Sequence, residues 1–198
     1  MTNLEKLTQQ IEFIMELDKL KSVLRRSYLT HGDRHENSAE HSWHIAMAAL
    51  TLAEYANETV EMGHVIKLLL IHDIVEIDAG DTFIYDGKAK QDQYEREDLA
   101  AERIFGLLPP PQRDAYLALW HEFEERVTPE AKFARAVDRL LPLMHNYYTE
   151  GRGWREHSVR QSQVIAINQV MAEGASELWD FVQAKIEDAV SKGYLGAG

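Results

Sequence analysis

The sequence contains no cysteine. That excludes a disulfide framework and a thiolate metal site, so nitrogen and oxygen must hold any bound metal. Such a donor set suits Mn, Fe, Co, Ni, Zn or Mg. No run reaches the roughly eighteen apolar residues of a membrane span, and no basic, apolar leader with a small-residue cleavage site is visible. Positive charge is scarce: 21 Lys and Arg stand against 33 Asp and Glu, a net charge of −12. So acidic a surface repels a phosphate backbone, which argues against nucleic acid as a partner. A small phosphorylated ligand needs only a local cationic spot. These features fit a cytoplasmic protein without a membrane partner. A length of 198 residues suits one domain, 1–198, with a sizeable core.

What is present reads as helix almost throughout. Apolar residues recur three or four apart from Leu4 to Leu24. A polar loop follows at 27–37, and Ser38 is the expected N-cap of a second helix, with His41 at N3. A third helix is expected from near Thr59 through VIKLLLIHDIVE. The Asp- and Gly-rich stretch 78–90 reads as a long loop. Helices are expected at 92–107, 111–125 and 129–148, with Pro142 kinking or splitting the last of these. GRG at 151–153 interrupts the pattern, two helices (155–172 and 175–192) close the chain, and the tail GYLGAG should fray. The fold class is therefore all-α, with seven to eight helices.

Three segments carry chemistry. His72 and Asp73 stand together at the end of an apolar run, and Glu76 shares their side of the helix. His41 precedes the small and apolar run from Ile45 to Ala49. Asp138 lies between Ala136-Val137 and Leu140-Leu141. A buried carboxylate must be paired or bind a metal. One metal site built from three helices satisfies all of these residues. The alternative is a satisfied core histidine at 72, a hydrogen-bonded Asp73, and an Asp138 paired with Arg135 or Arg139. His44 reads as an ordinary, partly buried histidine. Trp120, His121, Glu122 and Glu125 form a second polar-aromatic cluster that either shapes a pocket or faces solvent. Tyr147, Tyr148, Trp154 and Arg155 would close a base pocket, serve an interface or lie in the core.

The ordered set ENSAEHSWHIAMAAL, LLLIHDIVEIDAGD and AKFARAVDRL resembles the HD-domain metal-dependent phosphohydrolases. The likeness is greatest to the small single-domain branch that includes the bacterial 5′-deoxynucleotidase. It covers roughly residues 10–150, with helices 155–192 expected to pack on that core. The resemblance implies an HD-type helical fold and one divalent ion held by His41, His72, Asp73 and Asp138. It implies Glu76 and Asp81 as the catalytic acid–base pair, and a phosphate-binding arginine on the first helix or the loop after it. Arg26 is the best match for that arginine, with Arg25 and Arg34 as rivals. The implied reaction is hydrolysis of (deoxy)nucleoside 5′-monophosphates by a metal-activated water, in a protein that forms a homodimer. Arg25-Arg26-Ser27-Tyr28 departs from the Arg-Trp pair of the bacterial nucleotidase, so metal chemistry should carry over better than nucleotide preference.

Overall fold

The computed structural model describes residues 1–87 and 91–198, so Lys88, Ala89 and Lys90 of the long loop lie outside the described residues. Helix α1 (Asn3–Leu17) opens with a Thr2/Glu5 capping box. It stops earlier than the apolar spacing suggested: a 3₁₀ turn (Asp18–Ser22) leads into strand β1 (Leu24–Tyr28). Antiparallel β2 (His35–Asn37) pairs with β1, so most of the expected loop at 27–37 is a hairpin.

Helix α2 (Ser38–Thr51) is capped one residue earlier than expected. The Asn37 side chain accepts from the Glu40 amide, and the Glu40 carboxylate accepts from the Asn37 amide. This reciprocal box releases Ser38 from capping. Helix α3 (Met62–Ile71) starts at Glu61, whose carboxylate bonds the Gly63 amide. The chain then tightens into a 3₁₀ turn (His72–Val75) before the single turn α4 (Glu76–Ala79). With three residues per turn, i and i+3 superpose. Ile71 and Ile74 therefore face the apolar core together, while Asp73 and Glu76 share the opposite side.

Helices α5 (Gln93–Phe105), α6 (Pro110–Glu125) and α7 (Pro129–Tyr148) follow the expected spans. The predicted split at Pro142 does not occur, and α7 runs through it. Proline removes only the amide that would bond the Asp138 carbonyl, and packing against α2, α3, α6, α10 and α11 holds the helix together. The remaining elements are α8 (Arg152–Glu156), α9 (Gln161–Asn168), α10 (Met171–Gly174) and α11 (Ser176–Ser191). The first closing helix is thus three short pieces. Gly151 (φ +73°) permits the turn into α8, where a Cβ would lie 1.8 Å from the Tyr194 carbonyl oxygen. The tail does not fray at its centre: Leu195 is buried, and the Gly196 carbonyl accepts from the Gln161 amide at 2.9 Å.

Two apolar clusters make the core. The larger surrounds α7 and contains Ile45, Leu68, Phe123, Phe133, Val137 and Val182. The smaller holds Phe13, Ile71, Ile74, Ile104, Phe105 and Trp120. The segment from His72 to Glu76 runs between them.

Candidate metal centre and its cleft

The three expected segments converge. His41 on α2, His72 and Asp73 on the 3₁₀ turn and Asp138 on α7 are all buried. His41 Nε2 lies 3.1 Å from Asp138 Oδ1 and 3.9 Å from Asp73 Oδ2. His72 Nε2 lies 2.9 Å from Asp73 Oδ1 and 3.6 Å from Asp138 Oδ1. Bonds of about 2.0–2.2 Å to one ion place neighbouring donors roughly 3.0–3.5 Å apart; His41, His72 and Asp73 offer donor atoms all within 4.8 Å of one another, and Asp138 stands beside the two rings. His72 supplies a further sign. Its Nδ1 donates to the Leu69 carbonyl at 2.9 Å, which fixes the ring and turns Nε2 toward the carboxylates. That buried Nε2 has no hydrogen-bond partner among the described residues.

The electrostatics favour a cation here. Burial alone would lower the His72 pKa, yet the charges of Asp73 and Asp138 raise it to about 10. Burial would raise Asp73 and Asp138, but neighbouring histidines and arginines outweigh it and hold both well below the usual carboxylate range. Both stay ionised near neutrality.

Glu76 and Asp81 stand beside this set with the opposite behaviour. Burial, reinforced by the Asp73 charge, pushes Glu76 well above the ordinary glutamate value. The released Ser38 hydroxyl donates to Glu76 Oε2 at 2.5 Å. Gly80 (φ +73°) ends α4 and turns the chain into Asp81, whose pKa burial also raises. The two kinds of carboxylate are thus set apart, two ionised and two inclined to hold a proton.

Of the three candidate arginines, two reach the site. Arg25 enters the centre: its Nη1 donates to Asp73 Oδ2 at 2.6 Å and lies 3.6 Å from Glu76 and 3.7 Å from Asp81. Arg26 lines the cleft beside it. Neighbours on a strand face opposite sides, so Arg25 turns to the carboxylates while Arg26 stands at the cleft wall. Arg34 does not reach the centre. Its side chain is 58% exposed and forms a bidentate pair with Glu40.

A cleft opens next to Asp138 and Asp81, walled by Arg26, Arg139, Phe83, Tyr85, Trp154 and Asn168, with about 680 Å³ of space including its open mouth. Burial lowers Arg139 to about 10, which still leaves it a cation at neutral pH. Of the aromatic residues considered from sequence, Trp154 reaches the cleft, whereas Tyr147 bonds Asp188 on α11. The cluster around Trp120 does not shape the cleft. Trp120 is in the smaller core, and Glu122 pairs with His64 and Thr128. Sequence reasoning missed Glu36 and Ser38. Glu36 lies on β2, outside the helical spacing of the ligands, and Ser38, one turn before His41, reads from sequence as an N-cap, the place that Asn37 takes.

A helical fold with a buried His, His-Asp and Asp centre defines a class of protein. The chain belongs to the HD domain family, matched over residues 17–179. Among curated proteins it is 30% identical to the zebrafish (Danio rerio) protein named 5′-deoxynucleotidase HDDC2, over 69% of this chain and 68% of that one. It is 28% identical to the Homo sapiens protein of the same name, over 68% of this chain and 65% of that one. The chain thus spans about two thirds of the length of these relatives. A crystal structure described as a predicted metal-dependent phosphohydrolase from Magnetospirillum magnetotacticum superposes with a TM-score of 0.91 at 51% identity, covering 97% of this chain and 99% of that one.

Proposed function

We propose that this protein is a divalent-metal-dependent phosphohydrolase acting on (deoxy)nucleoside 5′-monophosphates to release nucleoside and phosphate. The observation that carries the reading is the convergence of four buried metal-type donors with two carboxylates of raised pKa at the edge of a cleft. His41, His72, Asp73 and Asp138 would hold the ion, which supplies a Lewis acid for a phosphoryl oxygen and acidifies water.

The protein's own groups do the rest. Glu76, held by Ser38, accepts the proton of the attacking water in its ionised form. Asp81, its pKa raised, returns a proton to the leaving oxygen of the nucleoside. Arg25 places its planar fork on the phosphate oxygens, and Arg26 adds a second cation at the cleft. Phe83, Tyr85 and Trp154 offer apolar faces to the nucleoside. Three arginines around the cleft (Arg25, Arg26 and Arg139) favour, as a second reading, a substrate with more than one phosphate. We read the protein as a cytoplasmic homodimer, which the exposed apolar residues of α1 support; sedimentation of the purified protein tests the association.

The test is phosphate release from a panel of nucleoside mono- and triphosphates and phosphodiesters, after chelation and reconstitution with Mn, Co, Zn, Ni or Mg. Turnover greatest on deoxynucleoside monophosphates is expected. Turnover confined to triphosphates or diesters would replace the first reading with the second, and no turnover of any phosphate ester would remove both.

A further inference from the structure

We propose that Glu36, His44 and His145 form a second cation site, distinct from the one built on His72-Asp73. Three separate elements bring them together: Glu36 on β2, His44 on α2 and His145 near the end of α7. His145 Nδ1 lies 3.7 Å from Glu36 Oε2, and His44 Nδ1 lies 4.0 Å from Glu36 Oε1. Their donor atoms all fall within 4.8 Å of one another.

Burial makes this more than a chance grouping. Glu36 is 1% exposed and His145 is 5% exposed; His145 Nδ1 has no hydrogen-bond partner among the described residues, and Glu36 Oε2 meets His41 Nδ1 at 3.3 Å. The buried His145 ring nitrogen beside this carboxylate lacks a partner that a cation would supply. Two of the separations are 3.7 and 4.0 Å and all lie within 4.8 Å, so the donors must close toward the roughly 3.0–3.5 Å of a bound ion. The His44 side chain is 44% exposed, which gives an ion its entry route and leaves a coordination position for water.

Two imidazoles and one carboxylate select a late first-row divalent metal such as Zn, Ni or Co over Mg or Ca, which take oxygen donors. The site should be the weaker of the two. It has one carboxylate where the first has two, and Arg25 Nε stands 4.0 Å from Glu36. The same carboxylate lies 3.3 Å from His41 Nδ1, the far side of a ligand of the first site. Glu36 therefore links the two.

The test is equilibrium titration of chelated protein with Zn(II) or Co(II), read as metal bound per chain. The wild type is expected to take two equivalents in sequence, and the His44→Ala/His145→Ala protein one fewer, losing the weaker event. If the double variant does not fold, His44→Ala alone serves: it should weaken the second event roughly tenfold or more, given that even outer partners of a metal site cost that much. A wild type that saturates at one equivalent, a double variant with the full complement, or an unchanged second constant in His44→Ala would overturn the site. Metal counting does not depend on turnover, so failure here leaves the proposed reaction standing.

Discussion

Helices α1 and α7 invert what their sequences suggest. The first carries a regular apolar stripe, yet Leu4, Leu7, Ile11 and Ile14 are exposed and only Phe13 is buried. The second carries Arg135, Asp138 and His145, and all three are inside. Apolar periodicity establishes that a segment is helical; it does not establish what the helix packs against. A charge inside an apolar run says more, because its burial costs free energy that only a partner can offset. In α7 the offset comes from the His41 and His72 rings and from arginines. In α1 nothing is offset, and the stripe remains at the surface.

This contrast can be sharpened by five substitutions. The largest effect is expected at the charge-bearing centre. Glu76→Gln should lower kcat by about 10²- to 10⁴-fold, the usual range for a positioned proton acceptor, while metal bound per chain stays at the wild-type level. Steady-state kinetics beside metal analysis checks both halves, and wild-type turnover would remove the assigned role. Phe133→Ala tests the apolar side of α7. Phe133 is fully buried in the larger core, so chemical denaturation should show a loss of about 3–5 kcal/mol.

A smaller, pH-dependent effect is expected at Glu97 on α5. Burial raises its pKa to about 7, against an ordinary 4.5, with the Gln93 amide donating to it at 2.7 Å. The folded state therefore holds more protons than the unfolded chain between these values. The contribution to stability is full below about pH 4.5 and declines as pH rises, gone above about 7. Glu97→Gln should stabilise the protein by on the order of 2 kcal/mol at pH 8 and by little at pH 4. Denaturant midpoints at the two pH values decide it, and a gain that does not depend on pH would contradict the assignment. The smallest effect belongs to α1: Leu7→Ala and Ile11→Ala should change the stability of the isolated chain by about 0.5 kcal/mol or less. A loss of several kcal/mol would mean that this face is covered in the native protein.

Much of the centre was legible in the sequence. His41, His72, Asp73, Glu76 and Asp138 stand out because polar groups interrupt apolar runs, and the structure brings them together. The helices from α5 to α7 were equally plain, bounded by prolines and by Thr128 at an N-cap. The hairpin was hidden because LRRSY has two arginines among its five residues and no apolar alternation. That one miss concealed Glu36. The 3₁₀ turn at His72 was hidden because i→i+3 and i→i+4 bonding share nearly the same apolar pattern. The tail looked loose because Leu195 is a lone apolar residue among glycines, and only the fold shows the pocket it enters.

The central claim is that His41, His72, Asp73 and Asp138 form one metal centre on which turnover depends. The most direct measurement is a titration of chelated wild-type and Asp138→Ala proteins with divalent metal, following phosphate release from a deoxynucleoside 5′-monophosphate. Wild-type turnover should rise in proportion to the first equivalent bound, while Asp138→Ala, shown to be folded by circular dichroism, stays at the chelated background. Turnover by the chelated protein, or wild-type turnover by Asp138→Ala, would contradict the account.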